Sequence, residues 1–153
     1  MRTMIGIMAA AMLLGAGPGQ AQQGWDFVAP LTTATLADGQ ELIDGPYWFP
    51  NAETAQTATH AIGVVYYPIA GAAGNFNIGA GVFIRDEAEW KLLAPVPELY
   101  GTEPRNPEWQ GDPVPTSVTM TTTTLKESDP RCCPTGETRF TIDLTSGAVT
   151  GPD

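Results

Sequence analysis

Hydrophobic and polar positions in this chain alternate in short runs, and strands account for most of them. Ile62–Tyr67 is a continuous apolar run stopped by Pro68, the pattern of a strand buried on both faces. Phe76–Arg85 sets Phe76, Ile78, Ala80, Val82 and Ile84 against small or polar partners at the two-residue period of a strand. Gly79 and Gly81 inside it predict a bulge or a close backbone approach. The Asp86–Glu89 acids make a turn, and Trp90–Ala94 returns as a third strand. Further on, Thr116–Leu125 is rich in β-formers, and Thr138–Leu144 alternates Phe140, Ile142 and Leu144 inward against Arg139, Thr141 and Asp143 outward. Ser146-Gly147 then turns the chain into a short edge strand.

The remaining segments are less regular. Leu31–Leu36, with Thr32, Thr33 and Thr35, is expected as a strand, and Asp38-Gly39 and Asp44-Gly45-Pro46 as turns. Tyr47-Trp48-Phe49 between two prolines is expected to plug one end of a small core. Asn51 as N-cap and Glu53 in the first turn predict a short helix over Ala52–Ala61, ending near His60. Pro95–Pro115 carries six prolines and is predicted to be a long loop packed over the sheet through Leu99, Tyr100 and Trp109. The expected fold class is β-rich, with α+β as the variant. It is a single small domain, an antiparallel meander plus a C-terminal β-hairpin with at most one short helix.

The chain has 153 residues, room for one domain. Met1–Ala21 has the anatomy of a secretory signal: Arg2, an apolar run from Met4 to Gly17, then Gly19-Gln20-Ala21 with small residues at the −3 and −1 positions of a cleavage site. The expected organisation is a signal peptide over 1–21 and an extracytoplasmic β-rich domain over 22–153, periplasmic or secreted. The apolar run is too short to span a bilayer and no later one reaches about 20 residues. No cysteine stands at the cleavage region, so neither a membrane span nor a lipid anchor is expected.

The formal net charge is −10, and loss of Met1–Ala21 removes Arg2 and no acid. Such a surface repels nucleic-acid phosphates and anionic lipid, which excludes both as main partners. The Asp86–Glu89 cluster lacks the ligand ladder of a calcium loop, and His60, the one histidine, has no companion at ligand spacing. No cofactor or metal site is expected. Nucleophile-elbow, phosphate-loop, zinc-protease and dinucleotide motifs are all missing, which points away from an enzyme.

Both cysteines fall in Asp129-Pro130-Arg131-Cys132-Cys133-Pro134-Thr135-Gly136, between two predicted strands and therefore at a hairpin tip. Export drives thiols to disulfides. With no third cysteine in the chain, the oxidised pair is either a ring between neighbours or a link to another chain. Neighbouring Cα atoms lie about 3.8 Å apart, below the usual span of a disulfide, so a vicinal bond is strained and more reducible than an ordinary one. Four readings stay open: a rigid structural knuckle, a redox-responsive switch, a thiolate site for copper(I) or zinc, and intermolecular pairing. The residues to test are Asp129, Pro130, Arg131, Cys132, Cys133, Pro134 and Thr135.

This stretch, after a Thr/Val strand and before an alternating one, resembles the Asp-Pro-x-Cys-Cys-Pro-Ser/Thr motif of small exported bacterial domains. Mycobacterial lipoproteins of the LppP/LprE type and other periplasmic proteins are similar. The glycine-flanked Gly74–Ile84 segment resembles the strand upstream in such proteins. The resemblance implies export and supplies no catalytic residue. Together these features predict a non-enzymatic accessory or binding protein presenting a Cys-Cys knuckle to a periplasmic protein partner, with a redox-responsive protein as the alternative and copper or zinc handling after it.

Overall fold

The computed structural model describes residues 24–151; the expected signal segment lies outside them. Its framework is two four-stranded antiparallel meanders in succession. The first sheet holds β1 (Asp44–Pro50), β2 (His60–Pro68), β3 (Phe76–Asp86) and β4 (Glu89–Pro95) in that order. The second holds β5 (Thr102–Gln110), β6 (Ser117–Thr124), β7 (Gly136–Asp143) and β8 (Val149–Thr150) in the same manner. One helix, α1 (Val28–Leu36), covers the outer face of the first sheet and touches all four of its strands.

The core follows from strand alternation. Ile62, Val64, Tyr66, Ala80 and Val82 of the first sheet meet Val118, Met120, Phe140 and Ile142 of the second, with Tyr47, Phe49 and Trp109 closing the sides. The other face of β2 and β3 is also buried, as the uninterrupted apolar run of β2 requires. Glycines make that face flat. A Cβ on Gly79 would stand 2.4 Å from the Leu36 carbonyl oxygen, and one on Gly63 would stand 2.8 Å from the Phe83 ring, so only hydrogen lets α1 lie this close. Trp25, Phe27, Trp48, Phe83 and Trp90 pack ring on ring around the helix, with neighbouring centroids 5.0–6.1 Å apart. The indole N–H groups of Trp48 and Trp90 are buried without an acceptor, so ring packing alone holds them.

Three expectations are corrected. Leu31–Leu36 belongs to the helix, where the Thr32 and Thr35 hydroxyls donate to the carbonyls of Val28 and Leu31 four residues back (2.7 and 2.8 Å). Ala52–Ala61 is not a helix. The Asn51 side chain instead accepts from the backbone N–H groups of Thr59 and His60 (2.9 and 3.0 Å), closing a loop, and His60 opens β2. The Pro95–Pro115 segment is not a loop throughout, because Thr102–Gln110 forms β5 despite Pro104 and Pro107. The register of β5 on β6 breaks on both sides of Arg105, and Glu103 and Asn106 take left-handed φ of 50° and 53°. Bulges on an edge strand absorb prolines that a regular ladder would reject.

Candidate functional site

The hairpin of β6 and β7 keeps an unbroken register from Ser117↔Asp143 to Thr124↔Gly136, and the cysteine segment is its tip, as expected. Asp129 shapes that tip. One carboxylate oxygen accepts from the backbone N–H of Lys126 (2.9 Å) and of Thr135 (2.7 Å), and the other from the Thr135 hydroxyl (2.8 Å). These donors hold the Asp129 carboxyl below its ordinary value, the Lys126 amide contributing most, then the Thr135 amide and hydroxyl. Inside this clasp the Cys133 N–H donates to the Pro130 carbonyl (3.0 Å). Gly136 ends the tip against β6, where a Cβ would stand 2.7 Å from the Thr124 carbonyl oxygen. The ends of the motif, Asp129, Thr135 and Gly136, thus have structural work.

The middle of the motif faces outward. Cys132 and Cys133 are bonded to each other with Cα atoms 3.8 Å apart, the vicinal disulfide itself. Both are exposed, as are Pro130 and Arg131, while Pro134 is half-buried. Arg131, Cys132 and Pro134 line one wall of an open cleft of about 480 Å³. Asp44 from β1, Phe76 from β3 and Glu103 from β5, all remote in sequence, line it as well, together with Leu125 just beyond β6. Neither Asp44 nor Glu103 is wholly committed to the fold by its contacts. Asp44 accepts from the Gly45 N–H and the Tyr47 hydroxyl, and Glu103 accepts from the Thr123 hydroxyl. The Asp44 carboxylate, as hydrogen-bond acceptor, then burial and the nearby charges push the Tyr47 hydroxyl up to about 12, so it stays protonated.

Two exposed apolar side chains, Phe76 and Leu125, line this cleft beside its charged groups. Seven large hydrophobic side chains are exposed among the described residues: Ile43, Ile69, Phe76, Leu93, Tyr100, Val114 and Leu125. All but Leu93 and Val114 sit where the chain enters or leaves a strand at the cysteine end of the sandwich. The sequence marked the knuckle but not this wall, since nothing local ties Phe76 or Glu103 to Cys132. The nearest signal was Leu125, an apolar residue directly after a strand of threonines.

His60 lies at the other end of β2 from this cleft. It is buried, and the Thr59 hydroxyl contacts its Nδ1 at 3.0 Å; burial lowers its pKa. Among the described residues no three His, Cys, Asp or Glu side chains gather as metal ligands, and no helix is long and apolar enough to cross a membrane. The chain matches no protein-family model, no curated protein and no solved structure.

Proposed function

We propose that this is an exported, non-enzymatic accessory protein that receives a protein partner at its cysteine end, with Cys132–Cys133 as a stiff contact point. One observation carries the reading: two exposed apolar side chains, Phe76 and Leu125, line the same cleft as Cys132. Apolar surface gathered in one place marks interaction sites, whereas scattered single residues do not. A tip held by Asp129 and flanked by Pro130 and Pro134 loses little freedom when a partner docks. The partner segment that fits is apolar and carries a base toward Asp44 and Glu103, which suits a strongly acidic chain. Export itself rests on the Met1–Ala21 pattern and the resemblance of the cysteine motif.

The test is site-specific photo-crosslinking in the exported fraction of the native host. Probes at Phe76 and Leu125 are expected to trap one discrete partner, a probe at Val114 is expected to trap none, and Arg131→Glu should change the yield. Equal labelling at Val114, or none at the cysteine end, would sink the reading. Exposure of both cysteines favours a redox-responsive role as a second reading. It requires a reduction potential well above about −300 mV, and a lower one removes it.

A further inference from the structure

Of the two bonded cysteines, Cys132 lines the open cleft at the hairpin tip, whereas Cys133 is exposed but is not among the lining residues. A partner seated in the cleft therefore meets the two sulfurs unequally. A disulfide opens when a thiolate attacks one sulfur and the other leaves. A bond between neighbouring residues is also easier to open than an ordinary one. What holds the tip once the bond is open matters as much. The Asp129 carboxylate accepts from the Lys126 and Thr135 amides and the Thr135 hydroxyl, and the Cys133 N–H donates to the Pro130 carbonyl. None of these bonds uses a sulfur. The tip thus has one frame for both states, and it holds the two thiols side by side for reclosure.

We propose that Cys132 is the sulfur attacked, by one thiol of a protein dithiol that enters through the cleft, and that Cys133 is the leaving sulfur. This rests on the redox-responsive reading and adds to it the point of attack and the class of donor. In the first step the donor's thiolate sulfur bonds to Sγ of Cys132. The Cys132–Cys133 bond breaks, and its electron pair leaves on Sγ of Cys133, which takes up a proton. In the second step the donor's other thiolate attacks the donor sulfur of the mixed disulfide and expels Cys132 as a thiolate, protonated in turn. The donor ends as a disulfide and the tip as a dithiol, and the two electrons gained by one are those lost by the other. The cleft also sorts donors by charge. Asp44 and Glu103 bring two negative charges to its lining and Arg131 one positive, while Phe76 and Leu125 add apolar surface. A donor cysteine flanked by basic residues is favoured over one flanked by acids.

The probes are two short monothiol peptides, one with a lysine on each side of its cysteine and one with glutamates. Each is mixed with the oxidised protein, quenched in acid within seconds, alkylated with N-ethylmaleimide and mapped by mass spectrometry. At the earliest times the probe should sit on Cys132 and the maleimide on Cys133, by about fivefold or more over the reverse. The lysine peptide should open the bond faster than the glutamate peptide. Glu103→Gln, whose side-chain oxygen can still accept from Thr123, should cut the ratio of the two rates by about twofold to fivefold at low salt. Comparing that ratio between the two proteins cancels the intrinsic difference in reactivity of the peptides. Probe found equally on both cysteines, or mainly on Cys133, overturns the proposal, and so does a rate ratio that Glu103→Gln leaves unchanged. Each of these results leaves the redox-responsive reading standing. A bond that neither peptide opens, or whose potential falls below the limit set for that reading, removes the reading and this inference together.

Discussion

Asp129 separates the structural part of the cysteine motif from the part left for function. Its carboxylate has three donors within the tip, and only the ionised form can serve them all. The sign of the pH effect follows. A carboxyl whose folded pKa lies below the ordinary 3.8 contributes fully above that value and loses its contribution as pH falls through the lower folded pKa. The tip should therefore keep its shape down to about pH 4 and open only in stronger acid. Asp129→Asn should raise amide exchange at Lys126 and Thr135 by roughly tenfold at neutral pH while leaving β6 and β7 protected. Exchange that is unchanged would show that the clasp is not what holds the tip. The disulfide makes a contrasting prediction. It joins adjacent residues and encloses almost no chain, and the clasp spans it from outside. Reduction should accordingly move the melting temperature by less than about 2 °C. A fall of 5 °C or more would mean that the bond, and not Asp129, organises the tip.

At the scale of elements, the helix and its platform depend on each other. Gly79→Ala forces a methyl into the backbone carbonyl of Leu36, which cannot yield without moving α1. Gly81→Ala meets the side-chain ends of Leu92 and Leu36, which can turn aside. Urea unfolding should show a loss of about 1–3 kcal/mol for Gly79→Ala and a smaller one for Gly81→Ala. Equal losses would mean that the helix gives way as easily as a leucine tip. The same interplay explains what was legible in the sequence. The strands β3 and β7 could be read from alternation because each faces a core, β2 from its unbroken apolar run and β6 from its β-forming residues. Thr32 and Thr35 favour extended backbone locally, but a glycine-flat sheet face needs a cover and their hydroxyls satisfy helical carbonyls. Asn51 looked like a helix cap because the same side-chain acceptor serves a cap and a loop closure equally well. The prolines of β5 masked a strand because a single sequence does not show where a bulge will fall. The knuckle was visible as a motif, while its cleft, assembled from β1, β3 and β5, exists only in the fold.

For the molecule as a whole, the useful fact is that it has one histidine. His60 starts β2, and its backbone carbonyl accepts from the Asn51 N–H (2.9 Å) while its own N–H donates to the Asn51 side chain, so it anchors the loop that joins the first two strands. In the neutral ring the Thr59 hydroxyl can donate to Nδ1 while accepting from the Asn51 amide. A proton on Nδ1 reverses the first of these bonds, and the burial of the ring disfavours the charge it brings. Burial lowers the folded pKa below the ordinary 6.5. Below pH 6.5 the unfolded chain therefore binds a proton that the folded chain refuses. Stability should be level above that point and fall as pH drops from about 6.5 toward the folded pKa. Urea unfolding measured from pH 8 to pH 4.5 would show the step. In His60→Asn, whose side-chain oxygen can still accept from Thr59, the step should vanish while stability at pH 8 changes little. Were the slope between pH 6.5 and 5 to survive that substitution, the acid sensitivity of the sandwich would have to come from its carboxylates, with His60 only a spectator at the mouth of β2.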